Sequence, residues 1–289
     1  MKPAEVVVVS GKGGTGKTTL TSVLAKTLIG RCVLCDADVD VPDLWILASP
    51  DVRVEEEFYG GDRAALNRPR CDDCGLCVSV CRFGALSGEN GKVAVDPGRC
   101  EGCGACALAC PKGAVSLSPA VQGRIYGSEA ETGPFWHARL VPGGENSGRL
   151  VQILRERAQK TARELEKPWI LVDGPPGIAC PAISAMTGCS AALAVTEPSK
   201  SGLHDLKRLG ELAARFRVPM AVVLNRCDLS EEGSRAIREV CREKGWPLLA
   251  EIPFMAGVVE DLARARIPSG NLGKAAAKVL KGLKVLLAR

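Results

Sequence analysis

Two sets of residues in this chain have the types and the spacing to do chemistry. The first is a pair of cysteine runs. Cys71, Cys74, Cys77 and Cys81 follow C-x-x-C-x-x-C-x-x-x-C, and Cys100, Cys103, Cys106 and Cys110 repeat it; Pro111 follows the second run and Arg82 stands in its place after the first. Thiolates are soft ligands, and cysteines this dense in a reducing compartment read as metal ligands rather than disulfides. Zinc sites commonly use paired C-x-x-C runs that lie well apart. Two triplets, each with a fourth cysteine, point instead to iron–sulfur clusters, whose sulfides accept hydrogen bonds from N–H groups of tight turns. The second set is Ser10–Thr19, SGKGGTGKTT, which contains G-x-x-x-x-G-K-T. Gly11 and Gly16 let backbone N–H groups turn inward around phosphates. Lys17 brings a positive charge to the β- and γ-phosphates, and Thr18 offers a hydroxyl to Mg²⁺. The helix that opens here adds its N-terminal dipole.

Both sets need rigid neighbours. Val6–Val9 reads as a buried parallel strand feeding the phosphate loop, and Leu20, Val23, Leu24, Thr27 and Leu28 recur at helical spacing over Thr18–Ile29. Arg31–Cys35 reads as the next strand. From about Glu56 to Pro119 cysteine and glycine dominate. The alternation then resumes, with predicted helices over Gly148–Glu166, Leu203–Phe216 and Glu231–Lys244. Strands are predicted over Trp169–Val172, Ala191–Thr196, Met220–Leu224 and Leu248–Ile252. This pattern predicts an α/β fold with a doubly wound, mostly parallel sheet, interrupted by a small module. The expected organisation is a nucleotide-binding domain over 1–60 and 120–289, with the cysteine module at 61–119 inserted. Residues 120–147, broken by Gly133, Pro134, Pro142, Gly143 and Gly144, read as holding no long element. The stretch 133–148, with His137, reads as a connecting hairpin.

Composition narrows the classes. Hydrophobic residues at 46% supply a core, and aromatics at 4% argue against extensive stacking on nucleic-acid bases. A net charge of +5 suits an anionic ligand without demanding nucleic acid. No apolar run reaches the roughly eighteen residues of a spanning helix. The opening MKPAEVVVVSGKGG has an apolar run of four residues, unlike a signal peptide. The expectation is a cytoplasmic protein without nucleic-acid or membrane partners. Over Asn271–Arg289, Leu272, Ala276, Val279, Leu280, Leu283 and Leu287 share one helical face, and Lys274, Lys278 and Lys281 lie on the other. Packing on the sheet is expected of it, a basic amphipathic membrane tail being the rival.

Lys12 gives the phosphate loop a second lysine. The run Lys12–Thr18, KGGTGKT, resembles the deviant Walker A pattern of MinD and ParA, the Mrp-type iron–sulfur carriers and the nitrogenase iron protein. The resemblance implies an ATPase that closes as a nucleotide-sandwich dimer, with itself or a paralogue. ATP would be held by Gly11, Gly13, Gly14, Thr15, Gly16, Lys17, Thr18 and Thr19, with Lys12 reaching the partner's nucleotide as an arginine finger does. It further implies that Asp36 is a switch residue at the Mg²⁺ or phosphate, that Asp38 orients the attacking water, and that Asp173, in DGPPG, holds Mg²⁺ with Thr18. Asp40 and Asp43 are alternatives for the first two roles. Asn225, Arg226 and Pro253 match the segments that surround the adenine.

The cysteine module resembles a bacterial two-cluster ferredoxin domain of the α+β type. In such domains the fourth cysteine of each run serves the other cluster. By that resemblance Cys71, Cys74, Cys77 and Cys110 would hold one 4Fe–4S cluster, and Cys100, Cys103, Cys106 and Cys81 the other. Cys180 stands seven residues after Asp173, the spacing at which the nitrogenase iron protein carries a cluster cysteine. That implies a further cluster bridging the dimer, with Cys189 as a candidate second ligand. The plainer reading of Cys180 is a small core residue at a helix start. Cys32, Cys35, Cys227 and Cys241 read as structural. The functional expectation is ATP-driven assembly or transfer of iron–sulfur or related metallocofactors to an acceptor protein. The alternatives are an ATP-gated electron donor to a metalloenzyme and a positioning ATPase of the MinD/ParA kind.

Overall fold

The first strand shows why the chain folds where it does. β1 (Ala4–Ser10) carries four consecutive valines, Val6–Val9, and none of them is exposed. A strand buried on both faces must lie inside a sheet covered on both sides. The computed structural model describes residues 2–144 and 147–288. Glu145 and Asn146, in the predicted 133–148 hairpin, and Arg289, in the predicted C-terminal helix, lie outside the described residues.

The elements follow in order. After β1 come α1 (Lys17–Thr27), β2 (Cys32–Asp36), α2 (Leu44–Ala48), β3 (Asp51–Leu66), α3 (Leu76–Val80), β4 (Leu86–Glu89) and β5 (Lys92–Val95). Next are α4 (Ala105–Ala109), β6 (Val115–Ala130), β7 (Gly133–Leu140), α5 (Ser147–Glu164), β8 (Trp169–Pro176), α6 (Cys180–Met186) and β9 (Ala191–Thr196). The chain closes with α7 (Lys200–Arg215), β10 (Met220–Asn225), α8 (Glu231–Lys244), β11 (Leu248–Ile252), α9 (Ala256–Ala263) and α10 (Asn271–Leu287). Two compact units emerge. One comprises Met1–Glu56, Ile125–Arg139 and Ser147–Arg289; the other comprises Glu57–Arg124 and Leu140–Asn146.

The main sheet has the order β11-β10-β9-β1-β8-β2-β7-β6-β3. Pairings from β11 through to β7 are parallel. β6 and its neighbour β7 are joined by two residues, a connection only antiparallel strands allow. The sheet is therefore mixed and mostly parallel. α1 and α10 cover one face: Leu20, Val23 and Leu24 pack with Leu272, Ala276, Val279, Leu280 and Leu283 over the strand interiors. The apolar stripe predicted for the C-terminal helix thus closes the core.

Three departures from the sequence reading have physical causes. Residues 120–147 hold part of β6 and all of β7 rather than no long element. Glycine there makes room instead of breaking the strand: a Cβ on Gly127 would lie 2.8 Å from the Trp136 ring. α7 begins at Lys200 rather than Leu203, because Ser199 Oγ accepts the Gly202 N–H at 3.0 Å and caps the helix early. β3 goes unread because its Asp, Arg and Glu residues mask any apolar run.

Two buried polar groups fasten the first unit. Arg155 of α5 donates from Nε to Glu5 at 2.6 Å and from Nη1 to the carbonyls of Ser184 and Thr187, tying α5 to β1 and α6. His137 on β7 is buried, stacks against Tyr126 and Phe135, and lies 3.0 Å by Nε2 from Ser128 Oγ. Burial, helped by Arg139, pushes its pKa down to about 4. A histidine whose folded pKa is depressed costs stability as pH falls from its unfolded value of roughly 6.5 towards 4. The difference in melting temperature between wild type and His137→Gln is expected to shrink across that window, as read by thermal unfolding from pH 7.5 to 4.

Candidate functional site

The carboxyl ends of the parallel strands carry the predicted nucleotide-binding residues, where open α/β sheets bind ligands. Ser10 ends β1, Asp36 ends β2, Asp173 lies in the last part of β8, Glu197 follows β9, Asn225 ends β10 and Pro253 follows β11. The loop from Gly11 leads into α1, with Gly14 at φ 77° and Gly16 at φ 94°. Two side groups press against it. A Cβ on Gly16 would meet Asn225 Nδ2 at 2.4 Å, and one on Gly11 would meet Asp205. Asn225 donates from that same Nδ2 to the Thr15 carbonyl at 2.8 Å.

Lys17 is nearly buried and sits 3.1 Å from Asp173 Oδ1 and 4.0 Å from Asp38 Oδ2. Asp173 also accepts from Thr18 Oγ1 at 2.7 Å and Thr21 Oγ1 at 3.0 Å. Burial works to lower the Lys17 pKa, but Asp173, then Asp36 and Asp38, outweigh it and hold the lysine above its ordinary value. Asp36 pairs in register with Asp173 on the neighbouring strand. Both its carboxylate oxygens accept backbone N–H groups, from Asp38 at 3.1 Å and from Leu44 at 3.2 Å. Burial, and then Asp173, raise its pKa well above the ordinary range. Asp38 is pushed up to about 6, again chiefly by burial. Asp36 is therefore an anchor for the loop into α2, while Asp38 is the acid with an edge to solvent. The Thr15 hydroxyl is buried with no hydrogen-bond partner, an orphan donor in a loop built to meet anions.

Lys12 points away from this cluster. Its Nζ is 2.5 Å from Glu197 Oε1 and 3.1 Å from Ser201 Oγ. The other Glu197 oxygen holds Arg226 at 3.3 Å. Sequence reasoning missed Glu197, since nothing in the spacing ties it to the phosphate loop. A mainly apolar cavity opens beside Gly16 and Thr19, lined by Asn225, Arg226, Pro253, Val223, Phe254 and Met255 among others. Sequence reasoning also missed α9, which supplies Val258, Val259 and Leu262 to the same wall.

The cysteines of the second unit fall into two groups. Cys71, Cys74, Cys77 and Cys110 line one cavity. Cys81, Cys100, Cys103 and Cys106 line another, with Phe83, Leu86 and Leu117. Each set combines three cysteines of one run with the fourth of the other. Among the described residues no three His, Cys, Asp or Glu side chains converge as they would on a single ion; the cysteines instead surround space. The two runs repeat a backbone pattern, with Gly75 at φ 76° and Gly104 at φ 77° opening α3 and α4, and Gly84 and Gly113 also at positive φ. N–H groups of the turns face the fourth cysteines. The Ala114 N–H lowers the pKa of Cys110. At Cys81 burial works upward, but N–H groups from Phe83 to Leu86 outweigh it and the thiol is lowered.

The remaining cysteines lie elsewhere. Cys180 is exposed at the start of α6. Cys189 is buried, donates to the Ala185 carbonyl at 3.0 Å and lies under Arg155 at 3.2 Å. Cys32, Cys35 and Cys241 are buried and Cys227 is half-buried. Among the described residues no helix is long and apolar enough to cross a membrane.

A phosphate loop at the head of a parallel sheet, with a lysine, a threonine and a strand-end aspartate in mutual contact, defines a P-loop nucleotide-binding protein. Residues 6–268 match the CbiA family, the CobQ/CobB/MinD/ParA nucleotide binding domain. The chain belongs to this family of MinD/ParA-type ATPases. The uncharacterized protein MJ0578 of Methanocaldococcus jannaschii is 35% identical over 226 residues, 77% of this chain and 78% of its own length. A second protein of that organism, MJ0579, is 26% identical over 232 residues, 78% and 81% of the two chains. Among solved structures, the Pyrococcus furiosus cell division ATPase MinD superposes with a TM-score of 0.58 at 21% identity, covering 99% of this chain and all of its own. MinD of Pyrococcus horikoshii, solved with Mg-ADP, gives 0.58 at 20% identity, covering 98% and 97%. The Cyanothece McdA(D38A)–ATP complex gives 0.55 at 14%, covering 98% and 97%. Likeness at these identities is a likeness of fold.

A non-glycine residue in the left-handed region costs roughly 1–2 kcal/mol, and at Gly16 the collision with Asn225 adds to it. Gly16→Ala is expected to weaken ATP binding by roughly tenfold or more, measured with a fluorescent ATP analogue, while far-UV circular dichroism stays unchanged.

Proposed function

We propose that this chain is a Mg²⁺-dependent ATPase that holds two 4Fe–4S clusters in a ferredoxin-like module at 61–119 and acts in assembly or transfer of iron–sulfur or related metallocofactors. The observation that carries this reading is the sorting of eight cysteines into two cavities, each taking its fourth cysteine from the other run. Cys71, Cys74, Cys77 and Cys110 would hold one cluster and Cys100, Cys103, Cys106 and Cys81 the other; when bound, the clusters supply one-electron chemistry. The N–H groups at Cys81 and Cys110 suit thiolates, which need donors when they leave water.

In the nucleotide site, Lys17 would exchange Asp173 for the β- and γ-phosphates. Thr18 and Asp173 would then turn to Mg²⁺. Asp38, with its pKa raised to about 6, has the basicity to orient and deprotonate an attacking water near neutral pH. The adenine would enter the cavity walled by Asn225, Arg226 and Pro253. Lys12 would leave Glu197 to act on the nucleotide of a second subunit, a copy of this chain or a paralogue.

Two other readings each have an observation behind them. Likeness to MinD and McdA favours a positioning ATPase, and taken alone it favours that reading over ours. The exposed thiol of Cys180 favours an ATP-gated electron donor with a cluster shared between subunits.

Protein purified without oxygen is expected to carry about eight irons per chain, to lose them in Cys81→Ala and Cys110→Ala, and to hydrolyse ATP only with Mg²⁺. Lys17→Ala should lower turnover at least tenfold while keeping the iron. Delivery of iron to an apo-acceptor in an ATP-dependent manner supports the assembly reading. Iron-free protein with normal ATPase activity overturns it in favour of the positioning ATPase. About two further irons per chain, lost in Cys180→Ala, together with ATP-dependent reduction of a partner, favour the electron donor.

A further inference from the structure

The two cysteine runs are near copies in backbone, yet they differ at one position that matters electrostatically. Between the first and second cysteines the chain takes the left-handed conformation in both, at Asp73 (φ 58°) and at Gly102 (φ 63°). At Gly102 only glycine fits, because a Cβ would lie 2.4 Å from the Asp62 carbonyl oxygen. At Asp73 a carboxylate stands in a conformation that L residues rarely adopt. Its Oδ1 is 3.6 Å from Cys71 Sγ, accepts the Val93 N–H at 2.8 Å, and pairs with Arg68 Nη1 at 2.8 Å. The Arg68 guanidinium also donates to the Val93 carbonyl. The backbone N–H of Asp73 points at the same sulfur at 3.4 Å. One residue therefore gives Cys71 both a hydrogen-bond donor and a neighbouring negative charge. The second run has no side chain at that place.

We propose that Asp73 makes the two iron–sulfur sites electrically unequal, holding the site of Cys71, Cys74, Cys77 and Cys110 at a lower reduction potential than glycine at position 73 would give, with Arg68 as the opposing charge. This rests on the cluster assignment proposed above. The physical basis is that adding an electron next to a fixed negative charge is disfavoured, and more so where water is excluded; net charge and hydrogen bonds to sulfur are the levers a protein has on such a site. A bonded thiolate carries no proton, so the Asp73 carboxylate faces it as charge alone. Val93 and Arg68 hold the carboxylate in that position. The consequence is directional: the Asp73 charge biases an electron entering the module towards the site with Gly102.

The test is a reductive titration of the anaerobically purified full chain followed by electron paramagnetic resonance, which reads potential without reference to ATPase activity. Asp73→Asn keeps the shape and removes the charge; Asp73→Gly installs the residue of the second run. Both are expected to raise one of the two midpoints by about tenfold in the reduction equilibrium, or ~59 mV for a one-electron step, and to leave the other in place. Arg68→Gln is expected to lower that same midpoint. A structural role alone would not give opposite signs for the two charges. Two clusters present but unmoved in both Asp73 variants, or moved the same way by Arg68→Gln, overturns the proposal while the cluster assignment stands. A wild-type chain without 4Fe–4S signals overturns both.

Discussion

The nucleotide site turns on one buried lysine and the acids that neutralise it. Lys17 is 6% exposed, and a charge so placed is tolerable only when paired. Asp173 on the central strand supplies the partner, and it is held by the hydroxyls of Thr18 and Thr21 as well. Asp36 and Asp38 bring two further carboxyls within electrostatic reach, so the pocket has more acid than base. Burial is the chief reason that Asp36 and Asp38 have raised pKa values, and the neighbouring Asp173 adds to it. A site of this kind is prepared for an exchange. A phosphate can relieve Asp173 of Lys17, and a divalent cation can relieve the acids of one another. The orphan Thr15 hydroxyl fits the same picture, since its missing partner is an acceptor.

The cysteine unit solves a different problem of charge. Four cysteines around a small space would repel each other as thiolates unless dipoles pointed at them. The repeated glycines at positive φ, Gly75 with Gly84 and Gly104 with Gly113, turn successive N–H groups inward, which side-chain-bearing residues do at a cost. Core residues Val93, Leu86 and Val115 pack directly on the cysteines, so the ligand loops have a hydrophobic floor despite the lack of long helices. The β4–β5 hairpin supplies Leu86 and Val93, and its antiparallel register from Leu86–Val95 inward keeps those two side chains buried.

Much of this was legible in the residues. Val6–Val9 and the loop after it read as a buried strand and an anion-binding turn, because the glycine spacing ahead of a lysine and a threonine sits between a strand and a helix. The spacing of the eight cysteines foretold which would share a cavity only through the ferredoxin resemblance, since the exchange of the fourth ligand is a property of three-dimensional pairing. What stayed hidden depended on distant partners. β3 carries acidic and basic residues on an edge, so it has no apolar signature. Gly133 and Pro134 looked like breakers and are instead the first two residues of β7. Cys189 looked available to Cys180, yet it is sealed beneath Arg155, whose own pairing with Glu5 spans 150 residues of sequence.

Lys12 is the residue whose meaning changes most between sequence and structure. The pattern KGGTGKT singles it out, but its charge is spent on Glu197 rather than on the acids around Lys17. For Lys12 to serve a nucleotide in a second subunit, that pair must open. Breaking a half-buried ion pair usually strands one partner, which makes the opening unfavourable. Here it need not, because Arg226 already holds the other oxygen of Glu197, and Ser199 Oγ donates at 3.5 Å to the one that Lys12 would leave. Arg226 follows Asn225 on the wall of the apolar cavity. A base entering that cavity would therefore meet the residue that keeps Glu197 neutralised while Lys12 is away. On the proposed reading, the lysine's freedom and the base's seat would be joined through one carboxylate just after β9, Glu197, which Lys12 and Arg226 share.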